Sequence, residues 1–375
     1  MLRLYMFGID YQTAPLAVRE ACWLSPARVA TYLSELPILL DGVPALDGRR
    51  ATVRCCEAVI LSTCSRLEFY VAAEEATAMH LFDAWISRLE CLAHENLRPY
   101  FRHRLGRDVI AHLLNLVCTS DSTSLAEPFV LQQVQDALHV AHGHGADGPV
   151  LQWLFHHVIQ ERLRPTKPAR EDDTTALAGA VTAFVHRYHP ESSRGRLLVV
   201  GKSKLAHLAT QLAAAMHVPL IATINRTETH VSITNRPLSG ATFSWHQMRQ
   251  ALVWTDMIVT ATPSLHPILD VDDFVATQRL RQGRPLVLFD LGFPRNVHPA
   301  VAGIGNIHYY TVDTMREQLS HGFIGQPMPE RAYTCEPRLH ARPLPRVEVM
   351  AHDLWDAFQQ VILDAYATCQ GAMIV

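Results

Sequence analysis

An apolar strand runs directly into a glycine turn in LLVVGKSKLA, residues 197–206, and an alanine-rich segment with helical character follows to about residue 216. This order is typical of the phosphate turn of dinucleotide-binding proteins, whose three small positions allow a tight turn, close approach of the pyrophosphate and helix packing. Gly201 and Ala206 suit the first and last positions. Ser203 occupies the middle one, where its side chain would crowd the phosphates. The segment predicts a nucleotide-binding fold with an altered ligand turn.

Four more apolar segments, at residues 220–224, 257–260, 286–289 and 308–310, alternate with helical segments. Strands that are apolar on both faces indicate a parallel sheet covered by helices on each side. Arg226 follows the second strand, where an NAD enzyme would carry an acidic residue, and an arginine there suits the 2′-phosphate of NADP. We therefore expect a Rossmann-like, doubly wound NADP-binding domain. The alternative is a domain that keeps this fold and has lost the nucleotide.

The chain as a whole is predicted to be an α/β protein with an α+β catalytic domain before the nucleotide domain and a short helical segment after it. Short strands are expected at residues 3–9, 58–61 and 67–72, with helical spacing at 79–89 and 107–117. The predicted domains are 1–150 (catalytic), 151–195 (helical linker), 196–318 (NADP-binding) and 319–375 (proline-rich loop and C-terminal helix).

The C-terminal helix is predicted to be amphipathic. Its apolar stripe consists of Val347, Met350, Leu354, Phe358, Val361 and Ala365. A stripe of this spacing indicates a face that packs on another protein surface. We expect it to be a docking face or the interface of a homodimer, and not a membrane or ligand surface.

Composition narrows the class of protein. The 375 residues are 49% hydrophobic and 18% charged, as in a globular chain of two or three domains. No apolar run approaches the roughly 20 residues of a membrane span, and the N-terminus lacks a secretory signal, so a cytoplasmic protein is expected. A net charge of -3 gives no global attraction to DNA, and any RNA contact must be local. The eight cysteines form no CxxC pair and are expected to be reduced, and no metal site is predicted.

The most informative chemical segment is ILSTCSRLEFY, residues 60–70, where a strand breaks into a polar turn and a second strand begins. The turn exposes Cys64 beside Arg66, whose charge could stabilise a thiolate nucleophile. Arg66 could instead bind a substrate carboxylate through its planar fork, and the cysteine could be merely structural. His112 lies on a predicted helix among apolar residues, where the ordinary interpretation is a partly buried histidine bonded to a backbone carbonyl.

Several motifs, in order over about residues 7–315, resemble those of the glutamyl-tRNA reductase family. They are DYQTAP at 10–15 with Arg19-Glu20, STCSRLEFY at 62–70, His112-Leu113, Asp121-Ser122, Glu127-Pro128, Asn225-Arg226-Thr227, His266-Pro267 and FDLGFPRNV at 289–297. The resemblance implies that Cys64 attacks the ester of glutamyl-tRNA to form a thioester. NADPH would then reduce the thioester to glutamate-1-semialdehyde for tetrapyrrole synthesis. His112 would be the general acid or base, and Arg66 would hold the glutamate carboxylate.

The resemblance also implies which residues line each site. The substrate-binding residues would be Thr63, Ser65, Arg66, Ser122 and Glu127. The cofactor-binding residues would be Gly201, Lys202, Ser203, Asn225, Arg226, Thr227 and Thr262. The turn departs from the family at Lys202-Ser203, where the family has Ala-Gly, and this departure bears on whether NADPH binds.

Other departures keep three functions open. Ser65 replaces a usual asparagine and Tyr11 a usual histidine, and only about 60 residues follow Met315, where the family has a spinal helix and a dimerisation domain. The first hypothesis is an NADPH-dependent reductase of glutamyl-tRNA. The second keeps the cysteine acyl chemistry on a related aminoacyl or thioester carrier without reduction. The third is a non-catalytic relative that regulates a reductase.

Overall fold

The computed structural model describes residues 2–41, 56–118, 130–164, 173–191, 195–201, 220–225, 241–321 and 345–371. The chain forms two compact units. Unit 1 contains Met1–Ser120, Phe129–Lys167 and Arg331–Val375, and unit 2 contains Asp121–Pro128 and Pro168–Glu330. Among the described helices, none is long and apolar enough to cross a membrane.

Unit 1 contains a four-stranded antiparallel sheet. Its strands are β1 (Arg3–Asp10), β2 (Glu57–Ser62), β3 (Arg66–Ala73) and β4 (Arg102–Leu105), in the order β2-β3-β1-β4. The first three confirm the predicted strands. The sequence did not indicate β4, because an edge strand carries polar side chains and lacks an apolar run.

Helices pack on this sheet to form the core of unit 1. They are α1 (Leu16–Cys22), α2 (Pro26–Ser34), α3 (Leu36–Leu40), α4 (Glu75–Ala93), α5 (Arg107–Cys118), α6 (Val130–Gly143), α7 (Pro149–Leu163) and α12 (Pro345–Gly371). Leu151, Leu154, Phe155 and Val158 of α7 are fully buried in this core. The predicted linker, residues 151–195, therefore begins with a helix that belongs to the core of unit 1.

The apolar stripe of α12 is buried within its own chain. Val347, Phe358 and Ala365 join the core of unit 1, where α12 packs on α5 and α7. Trp355 lies against Gly106, where a Cβ would come 3.0 Å from the indole ring. The predicted docking face therefore packs, at least in part, within the chain itself. Dimerisation through this helix stays a prediction.

Unit 2 contains a six-stranded parallel sheet. Its strands are β5 (Arg196–Val200), β6 (Leu220–Asn225), β7 (Ala241–Ser244), β8 (Met257–Thr260), β9 (Leu286–Asp290) and β10 (Ile307–Thr311), in the order β10-β9-β8-β5-β6-β7. Its described helices are α8 (Asp173–Tyr188), α9 (Met248–Trp254), α10 (Val271–Arg281) and α11 (Val312–His321). The strand order is that of the doubly wound dinucleotide-binding fold, which confirms the predicted fold class.

Alternate residues of β5 face two separate cores of unit 2. Leu197 and Val199 pack in the cluster that includes Phe184, whereas Leu198 and Val200 pack in the cluster that includes Phe274. Burial on both faces explains why this strand is apolar throughout. The order of the strands reverses between β5 and β8, so the loops after these two strands flank the crevice where such folds bind ligands.

Candidate functional site

The nucleophile turn, residues 63–65, joins β2 to β3 and is held by Thr63. Thr63 Oγ1 accepts hydrogen bonds from the backbone amides of Ser65 (3.1 Å) and Arg66 (3.2 Å), and the Thr63 amide donates to the Arg66 carbonyl at 2.8 Å. Thr63 and Ser65 are both buried, each with 4% of its surface exposed. A threonine that satisfies two backbone amides gives the turn a defined shape.

Cys64 is the exposed residue of this turn. Its Sγ lies 3.7 Å from the Ser65 hydroxyl, and its backbone carbonyl accepts a hydrogen bond of 2.7 Å from Arg19 Nη1. A thiol that solvent and substrates can reach is the first requirement for covalent catalysis. The structure therefore places the predicted nucleophile where it can react.

Glu68 gathers the charged groups of the site. Arg66 Nη1 donates to Glu68 Oε1 at 2.7 Å, and His112 Nε2 lies 2.8 Å from the same oxygen. Tyr70 donates its hydroxyl proton to Glu68 Oε2 at 2.6 Å. The structure thus brings Arg66 and His112 together, and the partner of His112 is a carboxylate, not the backbone carbonyl that the sequence suggested.

The electrostatics of Glu68 follow from these contacts. Full burial by itself raises the pKa of a carboxyl, but His112, Arg66 and the hydrogen bonds from His112 and Tyr70 outweigh it and hold the pKa of Glu68 far below its ordinary value. The same carboxylate, after burial itself, raises the pKa of Tyr70. Glu68 therefore stays ionised and accepts hydrogen bonds, and Tyr70 stays in its neutral phenol form.

Glu68 and Tyr70 were not predicted as site residues, although the sequence carries a signal for them. Residues 66, 68 and 70 alternate along β3, and side chains two apart on a strand share one face. Gly8, opposite Glu68 on β1, makes room for this face, because a Cβ there would come 2.7 Å from Glu68 Cγ and 2.9 Å from the Leu67 carbonyl oxygen. Two further predicted pocket residues, Ser122 and Glu127, lie outside the described residues.

The first feature of unit 2 that suits a nucleotide is Gly201 at the end of β5. Its φ is +121°, and a Cβ there would lie 2.4 Å from the Ala261 carbonyl oxygen. Only glycine accepts this combination of backbone angle and close packing. The turn after β5 therefore begins as the phosphate turn of this fold requires.

Thr262, the predicted cofactor residue after β8, is held by Asn296. Its amide donates to Asn296 Oδ1 at 2.7 Å, and Asn296 Nδ2 donates back to the Thr262 carbonyl at 3.3 Å. Asn296 is completely buried, and a Cβ at Gly292 would come within 2.4 Å of its side chain. This reciprocal amide pair fixes the loop after β8 at the crevice.

Asp290 organises the loop after β9. Its carboxylate accepts hydrogen bonds from the Thr260 hydroxyl (2.9 Å), the amides of Gly292 and Val297 (3.0 Å each) and the Tyr309 hydroxyl (3.2 Å). Burial raises its pKa, and these donors partly counter the shift. Asp290 and Asn296 both belong to the FDLGFPRNV motif, and the structure shows that both shape the loops at the crevice.

Several predicted cofactor residues are only partly described or not described. Asn225 ends β6, and only its backbone is described. Lys202, Ser203, Arg226 and Thr227 lie outside the described residues.

Comparison with known proteins matches each unit separately. The family described as "Glutamyl-tRNAGlu reductase, N-terminal domain" matches residues 7–164, and the family "Shikimate / quinate 5-dehydrogenase" matches residues 184–318. The glutamyl-tRNA reductase of Marinobacter nauticus is 28% identical over 318 residues, which are 84% of this chain and 71% of the relative. That of Aromatoleum aromaticum is 29% identical over 323 residues, or 86% of this chain and 73% of the relative.

A similar solved structure is that of glutamyl-tRNA reductase from Methanopyrus kandleri. It is 19% identical, with a TM-score of 0.36, and the match covers 99% of this chain and 80% of that chain.

Proposed function

Since the chain belongs to the glutamyl-tRNA reductase family, we propose that it reduces glutamyl-tRNA with NADPH to glutamate-1-semialdehyde through a thioester on Cys64. One observation carries the proposal. The turn that exposes Cys64 leads into a strand whose Glu68 carboxylate binds both Arg66 and His112. The groups proposed as nucleophile, cation and proton-transfer group thus come from the turn, β3 and α5 of one unit.

In the first step the Cys64 sulfur, as a thiolate, attacks the carbonyl carbon of the glutamyl ester. The bond from that carbon to the ribose oxygen of the tRNA breaks, and the oxygen leaves as a hydroxyl after it receives a proton. A thioester keeps the acyl group on the protein at high effective concentration. The exposure of Cys64 supports this role, because the ester lies at the end of a large substrate.

His112 would supply the proton to the leaving oxygen. Its Nε2 faces the Glu68 carboxylate, which has a strongly lowered pKa and so acts as an acceptor. The proton of the neutral imidazole therefore belongs on Nε2, and Nδ1 is the atom that takes up and delivers a proton. Glu68 would hold the ring in this orientation.

Arg66 would bind the side-chain carboxylate of the glutamyl group. It is 8% exposed, and its bond to Glu68 fixes the guanidinium on the face of β3 that His112 also reaches. A fixed arginine favours an acyl group that carries a negative charge over a neutral one. Thr63, Ser65, Ser122 and Glu127 remain the proposed neighbours of that group.

Unit 2 is a fold of the NAD(P)-binding type, and its described residues fit a dinucleotide. Gly201 adopts the backbone angle that the phosphate turn requires where β5 ends, and Thr262 is fixed across the switch point. Lys202 and Ser203 would face the phosphates, and Arg226, between Asn225 and Thr227, would favour a 2′-phosphate. NADPH, when bound, supplies the hydride that turns the acyl carbon into an aldehyde. The Cys64 sulfur leaves as a thiolate when its bond to that carbon breaks.

The test uses the full chain with glutamyl-charged tRNA, with and without NADPH, followed by peptide mass analysis and a carbonyl trap. Without NADPH we expect one glutamyl group on the peptide that contains Cys64, and with NADPH a trapped aldehyde. Cys64→Ser should lose both, by at least about 1,000-fold, because its hydroxyl is a much weaker nucleophile. Cys91→Ser, which removes another exposed thiol, is the matched control and should retain both.

The other outcomes separate the competing functions. An adduct on Cys64 that NADPH does not convert to an aldehyde would favour acyl transfer without reduction. The absence of both adduct and aldehyde, in a folded protein, would contradict the proposed function and leave a regulatory relative.

A further inference from the structure

Arg19 is a buried arginine that reaches the nucleophile turn from α1. It is 4% exposed, its Nη1 donates 2.7 Å to the Cys64 carbonyl, and its Nε donates 3.3 Å to the Ala14 carbonyl. Withdrawing a guanidinium from water is costly, and it is tolerated where the charge is hydrogen-bonded in place. Arg19 therefore ties the segment before α1 to the backbone of Cys64 itself.

A second contact joins the same two parts of unit 1. The Leu24 amide, between α1 and α2, donates to the Ser62 hydroxyl at 3.2 Å, just before the nucleophile turn. Thr63 holds the interior of the turn, as described above. Because Ser62 and Cys64 are both bound to the chain around α1, the turn cannot shift along the strand without breaking these contacts.

The charge of Arg19 matters as well as its hydrogen bonds. The guanidinium is bonded to the backbone carbonyl of the same residue that carries the sulfur. A fixed cation near a thiol favours the thiolate over the thiol. Burial keeps the side chain away from bulk water and limits the screening of its charge by salt.

We propose that Arg19 is a positioning residue for the nucleophile. It holds the Cys64 carbonyl so that the sulfur stays on the exposed side of the turn, and its charge favours the thiolate. The inference deepens the proposed function and rests on it for the role of Cys64. Its test requires neither tRNA nor NADPH, so the two ideas can fail independently.

The experiment measures the alkylation rate of Cys64 by iodoacetamide against pH, peptide by peptide, in the full chain. In Arg19→Met, which removes the charge and both bonds, we expect the midpoint of the rate profile to rise by about 1 pH unit. At neutral pH the reaction should be about 5–10-fold slower. In Arg19→Lys, which retains a charge but not the two-point geometry, the midpoint should move by less than half as much.

Two internal controls define the baseline. Cys91, exposed on α4, should show the same profile in every variant. Arg3→Met removes an equal charge at the other end of β1, since Arg3 pairs with Ala73 while Asp10 pairs with Arg66. It should leave the Cys64 profile unchanged.

An unshifted Cys64 profile in folded Arg19→Met would overturn the proposal. If that variant does not fold, a measurement on the wild-type protein still tests the proposal. Its Cys64 midpoint must lie about 1 pH unit below that of a synthetic peptide spanning residues 60–70. Equal midpoints for protein and peptide would contradict the inference.

Discussion

The two units bury polar groups for different purposes. In unit 1 the Glu68 carboxylate binds the side chains of Arg66, His112 and Tyr70. In unit 2 the buried polar side chains Asp290 and Asn296 chiefly bind backbone amides and carbonyls of the loops beside the crevice. The first arrangement sets the charge and orientation of groups that can react. The second sets the shape of a loop.

The difference shows that the two most specific sequence motifs, STCSRLEFY and FDLGFPRNV, have different structural roles. STCSRLEFY contains an exposed cysteine, Cys64, together with Glu68, the carboxylate that binds Arg66 and His112. FDLGFPRNV contains Asp290 and Asn296, whose side chains form hydrogen bonds with the backbone of the loops beside the crevice. The same motif contains the cis Phe293–Pro294 bond. Substitution should therefore affect reactivity most strongly in unit 1 and loop geometry most strongly in unit 2.

The largest effect is expected for Glu68→Gln, which removes the anion shared by Arg66 and His112. Loss of one partner from a buried ion pair costs about 3–5 kcal/mol of unfolding free energy, and urea unfolding measures it. Transfer of the glutamyl group to Cys64 should also fall at least about 10-fold, because His112 loses its orienting acceptor. Glu75→Gln, at an exposed pair with Arg3, should change stability by less than about 0.5 kcal/mol. Equal effects of the two variants would show that Glu68 does not organise the site.

Asn296→Ala tests the corresponding centre of unit 2. The Thr262 amide and carbonyl would lose their partner, and a cavity would remain, so we expect a loss of about 2–3 kcal/mol in unfolding free energy. NADPH affinity, measured by calorimetry, should fall because the loop after β8 is no longer held. Formation of the Cys64 thioester should be unchanged.

Gln250→Ala, at an exposed position of α9, is the control for Asn296→Ala. A loss of thioester formation in Asn296→Ala would contradict the division of roles between the units.

Glu57 provides a comparison with Glu68 inside one sheet. Its carboxylate accepts from the amides of Val150 (3.1 Å) and Leu151 (2.7 Å) at the start of α7. Burial raises its pKa to about 7, although these amides oppose the shift. No arginine or histidine is among the causes of that shift, unlike that of Glu68. Glu68 is thus held as an anion, whereas Glu57 is partly protonated near neutral pH.

The raised pKa of Glu57 predicts a pH effect with a definite sign. Between about pH 4.5 and 7 the Glu57 carboxyl binds more protons in the folded state than in the unfolded state, so the contribution of Glu57 to the unfolding free energy falls as the pH rises. Glu57→Gln carries no titrating group and should reduce this fall by about 2 kcal/mol across the window. Urea unfolding at half-unit pH steps measures it. Parallel pH curves for the variant and the wild type would show that Glu57 does not titrate there.

The smallest effect is expected for Tyr70→Phe, which removes one donor from Glu68 and leaves Arg66 and His112 in place. A hydrogen bond to a charged group contributes about 1.5–3 kcal/mol, and we expect a loss near the lower end, measured by urea unfolding. The loss should shrink in a Glu68→Gln background, because the two side chains act through one contact. Additive losses would mean that the Tyr70 hydroxyl acts elsewhere.

The sequence alone determined most of the secondary structure and the fold class. Uninterrupted apolar runs predicted the parallel strands of unit 2 other than the short edge strand β7 (Ala241–Ser244), and the glycine at position 201 marked the turn after β5. Both signals are local, since strand burial and backbone angles are encoded over a few residues. The exposed Cys64 followed in the same way from a polar turn between two strands. The short polar strand β4 carried no such signal.

Only the tertiary structure decided which groups act together. Glu68 and His112 are 44 residues apart, and Arg19 and Cys64 are 45 residues apart. No periodicity connects such positions, because their contact depends on how α5 and α1 pack on the sheet. The same reason applies to α12, whose apolar stripe was evident in the sequence while its partners, α5 and α7, were not. Local patterns determine elements, and the packing of distant elements determines the site.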